Sequence, residues 1–210
     1  MMRVLIVDDH AILRRGLRAL LSDAFAEAEF GESSNATQAL EQIRKKRWDV
    51  ALLDVSLPGK GGLDLLKELK AARPKLPVLV LSVHPEDQFA VRALKAGAEG
   101  YMTKESAPEE LVKAIRKVLS GGRYVSPTLA EKLALGVGKD FTRTPHETLS
   151  DREYEVMCHI ASGKTVTEIA RELSLSVKTI STHRTRILQK LGVRNSAEIA
   201  RYAIRNQLVI

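Results

Sequence analysis

Over about its first 120 residues the chain alternates short runs rich in β-branched residues and leucine with longer stretches whose apolar residues recur at helical spacing. That alternation admits few folds. Strands separated by helices of this length form a parallel sheet covered by helices, an α/β architecture. Five strand and helix pairs are predicted. The strands lie near Arg3 to Val7, Ala28 to Phe30, Val50 to Leu53, Val78 to Leu81 and Gly100 to Met102. The helices lie near His10 to Asp23, Asn35 to Lys46, Gly62 to Ala72, Glu86 to Ala96 and Pro108 to Leu119. Pro74 and Pro77 bracket the turn into the fourth strand, and Gly97 ends the fourth helix.

After Gly121-Gly122 this pattern stops. Residues 1–121 therefore read as one domain and 122–147 as a linker, with one short helix starting at Pro127. Residues 148–210 contain no β-rich run and read as a second, small all-helical domain. Ser150 with Glu153 forms a capping box there, and Asn195-Ser196 stands at the start of the last helix. Between Val166 and Leu191 two helical segments are separated only by Ser174-Leu175-Ser176, which predicts a helix-turn-helix.

The chain's 210 residues suffice for two such domains, and 44% hydrophobic residues exclude a disordered chain. No apolar run approaches the roughly 20 residues of a membrane helix. The start, Met1-Met2-Arg3, leads directly into the first strand without a secretory signal, so a cytoplasmic protein is expected. The lone Cys158 can form neither an intramolecular disulfide nor a Cys-rich zinc site.

Polar residues placed just after the strands of a parallel sheet are the ones positioned to meet a ligand. Asp8 and Asp9 follow the first strand, Asp54 the third, Ser82 the fourth and Lys104 the fifth. Three converging carboxylates repel one another, and a hard divalent cation with oxygen ligands relieves them, which predicts Mg²⁺. Asp54 can then act as a nucleophile toward a phosphoryl group, with Lys104 and the Ser82 hydroxyl stabilising its oxygens. His10 adjoins the acidic pair and is read as a cap of the first helix.

Leu5-Ile6-Val7-Asp8-Asp9-His10, Leu53-Asp54-Val55-Ser56-Leu57-Pro58-Gly59, Leu81-Ser82 and Gly100-Tyr101-Met102-Thr103-Lys104 resemble the receiver domain of two-component response regulators. The resemblance implies a doubly wound, flavodoxin-like (CheY-like) five-stranded parallel sheet. It makes Asp54 the phosphoacceptor, Asp8 and Asp9 the acidic pair, Ser82 the switch hydroxyl, Tyr101 the switch aromatic and Lys104 the active-site lysine. It also implies the Ser56 backbone carbonyl as a metal ligand, and places Ser56 and His84 where the family tunes its dephosphorylation rate.

Formal net charge is +7, and the basic excess lies toward the carboxyl end. Leu173 to Ala197 holds Lys178, Arg184, Arg186, Lys190 and Arg194 without one acid, the electrostatic footprint of a nucleic-acid-binding module. In the segment Val177 to Leu191, Val177, Ile180, Ile187, Leu188 and Leu191 are expected inside. Lys178, Ser181, Thr182, Thr185, Arg186, Gln189 and Lys190 are expected mainly outside.

Leu149-Ser150-Asp151-Arg152-Glu153, Gly163-Lys164-Thr165, Glu168-Ile169-Ala170 and Val177-Lys178-Thr179-Ile180-Ser181-Thr182-His183 resemble the LuxR-type DNA-binding domain. With the receiver, the whole chain is similar to a NarL/FixJ-type response regulator. The resemblance implies base reading by Ser181, Thr182 and Thr185, and phosphate contacts near Lys164, Thr165, Lys178, Thr179, Arg186 and Lys190. It further implies a sensor histidine kinase as phosphodonor, double-stranded DNA as target, and a homodimer on phosphorylation or DNA binding, for which Ile199, Ala203 and Ile204 offer one candidate surface and core packing the other reading. The enzyme alternative, an aspartate-based phosphatase or phosphotransferase, is opposed by Ser56, which stands where such enzymes carry a second aspartate. A purely protein-binding adaptor is opposed by the acid-free basic helix.

Overall fold

A computed structural model of the chain describes residues 1–57, 61–83, 86–136, 144–206 and 208–209. It separates into two compact units, Met1–Ala134 and Leu135–Ile210.

The first unit is a five-stranded parallel sheet of β1 (Arg3–Val7), β2 (Glu29–Ser33), β3 (Val50–Asp54), β4 (Val78–Ser82) and β5 (Gly100–Thr103), in the order β2-β1-β3-β4-β5. Helices α1 (Ala11–Ala24), α2 (Ala36–Lys45), α3 (Gly62–Ala72), α4 (Glu86–Lys95) and α5 (Pro108–Leu119) alternate with the strands. β3 and β4 are buried at every residue because helices cover both faces, which explains their unbroken apolar sequence. β2 is an edge strand carrying Glu29 and Glu32. Charges on an edge blunt its pairing with other chains, and they also hide the strand's length in the sequence, which suggested only residues 28–30. α5 starts with Pro108, followed by Glu109 and Glu110, and ends with Arg116 and Lys117, a charge order that complements the helix dipole.

The register sets the carboxyl ends of the inner strands level. Val7 lies opposite Leu53, Asp54 opposite Leu81 and Ser82 opposite Thr103. The order of connection reverses between β1 and β3, so the crevice for a ligand opens where Asp8 and Asp54 leave the sheet.

The segment after Gly122, read from the sequence as the start of a linker, is fastened to the first unit. Tyr124 makes a parallel bridge to Gly100, its N–H donates to the Glu99 carbonyl at 2.8 Å, and its hydroxyl donates to Glu110 at 2.7 Å. Ser126 bonds Glu86 and opens α6 (Pro127–Gly136).

The second unit holds a 3-10 turn (Pro145–Thr148), α7 (Asp151–Ala161), α8 (Val166–Glu172), α9 (Val177–Leu191) and α10 (Ser196–Arg205). Each helix start is capped. Ser150 and Thr165 form capping boxes with Glu153 and Glu168, while Ser176 and Asn195 accept from the third residue of their helices. Ile169, Ile180, Ile187, Ile199 and Ala203 close the core. Between α8 and α9, Ser174 takes a left-handed φ of 51°, the sharp turn the short spacing demanded. Among the described residues no helix is long and apolar enough to cross a membrane.

Candidate functional site

Asp8 and Asp54 leave their strands buried, at 2% and 1% exposure. Their inner oxygens are tied to the local backbone. The His10 N–H donates to Asp8 Oδ1 at 2.8 Å, and the Ser56 N–H donates to Asp54 Oδ1 at 2.9 Å. Lys104, delivered by β5, donates to the remaining oxygen of both carboxylates at 2.7 Å. The sequence-predicted trio of Asp8, Asp54 and Lys104 is thus in contact.

Asp9 joins them. Ligand atoms of Asp8, Asp9, His10 and Asp54 all lie within 4.8 Å of one another. His10 occupies the cap position of α1 but makes no side-chain cap bond; its Nδ1 instead approaches Asp8 Oδ1 at 3.2 Å and Asp9 Oδ1 at 2.9 Å. That approach lacks hydrogen-bond alignment at Asp9, whose Oδ1 is buried without a donor. The cap reading of His10 therefore holds for its position and fails for its imidazole.

Burial pushes the Asp54 carboxyl above the ordinary carboxylate value, against the pull of Lys104. Burial alone would lower the Lys104 ammonium, but Asp54 and Asp8 together hold it above the ordinary lysine value. Three carboxylates face one ammonium, so the cluster is short of positive charge when all are ionised. Hard oxygen donors, excess negative charge and an orphaned buried carboxylate oxygen together fit a divalent cation such as Mg²⁺.

Ser82 is buried, and its carbonyl accepts the Lys104 N–H at 2.7 Å, which sets the lysine's backbone against β4. The Tyr101 ring is completely buried. His84, Pro58 and Gly59 lie outside the described residues. Sequence reading assigned no role to Gly62, yet a Cβ there would stand 2.4 Å from the Asp54 carbonyl and 2.5 Å from the Val55 Cα. Its N–H donates to the Val55 carbonyl at 3.0 Å, so α3 is seated directly on the acceptor loop. The Gly61-Gly62 pair ahead of a helical pattern was the available signal.

In the second unit, α9 exposes Lys178, Ser181, Thr182, Thr185, Arg186, Gln189 and Lys190 as expected. Several side chains expected to face DNA are already engaged within the unit. Lys190 Nζ donates to the buried Glu153 at 2.6 Å and to the Thr148 carbonyl at 3.2 Å. Lys164 donates to Glu172 at 2.6 Å, Thr165 serves the α8 capping box, and the Thr179 hydroxyl meets that of Ser176 at 2.8 Å. Lys190, expected near phosphates, is thus engaged by Glu153, a buried carboxylate that would otherwise lack a cation. Arg184 is likewise held, by Ser196 at 2.8 Å.

One further expectation is corrected: Val177, expected inside, is 48% exposed in the first turn of α9. Of the two readings of Ile199, Ala203 and Ile204, core packing holds for Ile199 and Ala203, which are completely buried, whereas Ile204 is 60% exposed.

The chain matches the response regulator receiver domain over residues 4–116 and the bacterial regulatory proteins of the luxR family over residues 147–203. It is 37% identical to the response regulator UvrY of Escherichia coli (strain K12), covering 99% of this chain and 96% of the relative. It is 39% identical to the response regulator GacA of Pseudomonas aeruginosa, covering 100% and 98%. Among solved structures it resembles RcsB from Salmonella enterica serovar Typhimurium bound to promoter rprA in the presence of phosphomimetic BeF3-, with a TM-score of 0.66, 32% identity and coverage of 96% and 97%.

Proposed function

The chain belongs to the response regulators that carry a luxR-family DNA-binding domain, a family of transcription regulators rather than enzymes, and from that premise we propose that phosphorylation of Asp54 switches its hold on DNA. The observation that carries this reading is the buried junction of Asp8, Asp54 and Lys104 beside the partly exposed Asp9. An Asp54 carboxylate oxygen attacks the phosphorus of a donor, an acyl-phosphate bond forms, and the bond from phosphorus to the leaving nitrogen or oxygen breaks. Lys104, released from Asp54, pairs with a phosphoryl oxygen, and the Ser82 hydroxyl donates to another. Asp8, Asp9, Asp54 and the Ser56 carbonyl would hold Mg²⁺, which supplies neutralising charge to the phosphoryl oxygens. Movement of Ser82 then gives the Tyr101 ring a reason to shift.

A sensor histidine kinase is the donor we assign. An apolar cavity of about 770 Å³ beside Lys104, lined by Leu13, Leu17, Met102 and Leu111 and flanked by the exposed Ile12 and Val83, supports docking of a protein donor there. For the DNA we assign α9 as the helix that enters the major groove, with Ser181, Thr182 and Thr185 toward bases. Lys178 and Arg186 are the leading phosphate donors, joined by Lys164, Thr165 and Thr179 once their internal partners yield. A homodimer on paired half-sites follows from the two-fold logic of helix-turn-helix proteins, and a DNA target places the protein's work in the cytoplasm.

Incubation with acetyl phosphate and Mg²⁺ tests the acceptor assignment. The wild-type chain should take up label, Asp54→Asn should stay at background, and Asp9→Ala should need more Mg²⁺. Undiminished labelling of Asp54→Asn would overturn it.

A further inference from the structure

The exposed face of α9 carries a chemistry that its list of polar residues conceals. The Thr182 hydroxyl donates to the Lys178 carbonyl at 2.9 Å, and the Thr185 hydroxyl donates to the Ser181 carbonyl at 3.0 Å. A threonine whose only hydroxyl proton is committed to the preceding turn has lone pairs and a γ-methyl left to offer. Both residues are exposed, as is Val177 in the first turn of the same helix, a position that offers two more methyl groups and no polar atom. Val177 keeps 48% of its surface exposed at the leading end of the helix, so its methyls are open to a partner there.

In the major groove, guanine presents two acceptors and therefore asks for donors, which back-bonded threonines lack. Thymine presents a 5-methyl group, and adenine and cytosine present an amino donor that a threonine lone pair can accept. We infer that α9 recognises its half-site chiefly through thymine 5-methyl groups, packed against Val177 and the γ-methyls of Thr182 and Thr185. The inference rests on the placement of α9 in the major groove and adds the substrate class to it: duplex DNA whose contacted positions are thymine-rich.

The test uses the full-length chain and a duplex that the chain itself selects from a randomised pool. The selected duplex is then remade with deoxyuridine in place of thymidine, a change that keeps every base pair and removes only the methyl groups. Each lost contact should weaken binding about fourfold, so three should weaken it more than tenfold. Thr182→Ser and Thr185→Ser keep the hydroxyl and its bond to the helix, and Val177→Ala keeps an apolar residue; each should shrink the ratio between the two duplexes without changing the salt dependence. Equal affinity for both duplexes, alongside retained sequence preference, would overturn the inference and leave α9 as the reading helix. If the pool yields no preferred sequence and the α9 variants bind as the wild type does, the groove placement falls, and the inference with it.

Discussion

Lys104 in the first unit and Lys190 in the second each bring an ammonium to a carboxylate that is almost fully buried, at 2.7 Å from Asp8 and Asp54 and at 2.6 Å from Glu153. The difference lies in the charge count around them. Glu153 is one acid whose Oε2 already accepts the Ser150 N–H at 2.8 Å, so a single lysine completes it. Around Lys104 stand Asp8, Asp9 and Asp54, with an Asp9 oxygen still lacking a donor. A balanced buried pair is architecture, whereas a buried cluster with charge left over is compatible with a further cation. The comparison teaches that burial and pairing alone do not separate a site from a strut; the uncompensated remainder does.

The largest effect should come from Lys104→Met. It leaves buried carboxylates without their cation and should cost the first unit about 3 kcal/mol. The lone tryptophan, Trp48, lies in this unit, so its fluorescence during urea unfolding reads that loss. Added Mg²⁺ should stabilise the variant more than the wild type. Equal stabilisation of both would erase the distinction between the two lysines.

A buried group of the second unit supplies the next test. Burial, reinforced by Lys164, lowers His159 from 6.5 to about 4, so the folded unit keeps it neutral. Unfolding lets it take up a proton at a higher pH than folding does. Its contribution is therefore fully present above 6.5 and is lost as pH falls toward 4, by up to about 3 kcal/mol. Far-UV circular dichroism of wild type and His159→Gln across that window should find the steeper loss of stability in the wild type. The same slope in both would assign it elsewhere.

Lys190→Met should be milder, because the lysine is partly exposed. A loss of roughly 2 kcal/mol lies between surface and fully buried pairs. Burial tends to raise Glu153, but Lys190 and the Ser150 backbone hold it below its ordinary 4.5. A depressed carboxyl stabilises above its unfolded value, so the gap between wild type and variant should close as pH falls below 4.5. Mg²⁺ should not rescue this variant. In DNA binding, Lys178→Ala should reduce the log-log salt slope by ~0.9, whereas Lys190→Met should leave it nearly unchanged. Equal slopes in the two variants would return Lys190 to the phosphate contacts.

The smallest effect concerns backbone alone. Ser174 holds its φ of 51° without a glycine's freedom, so Ser174→Gly should raise the stability of the second unit by roughly 1 kcal/mol. A loss of stability would mean the serine side chain supports the turn.

How much could be read beforehand follows the same divide. Asp8, Asp9, Asp54 and Lys104 were legible because strand ends in a parallel sheet must converge, and the strands announce themselves by apolar composition. The direction of the His10 imidazole was not, since a cap position does not fix a side chain. Lys190's partner was hidden because Glu153 lies 37 positions away, and helical periodicity reports faces rather than which helix meets them. Val177 misled for a related reason: periodicity assigns it inward, but the first turn of α9 has too little packed against it to bury it. β2 was shortened by the glutamates that protect its edge.

The central claim is that chemistry at Asp54 governs DNA binding by the whole chain. Its most direct test is the affinity for a selected duplex, measured on the full-length protein with and without acetyl phosphate and Mg²⁺, in wild type and Asp54→Asn. The wild type should bind more tightly after phosphorylation and the variant should not respond. An equal gain in Asp54→Asn, or a labelled wild type that binds no more tightly, would contradict the account.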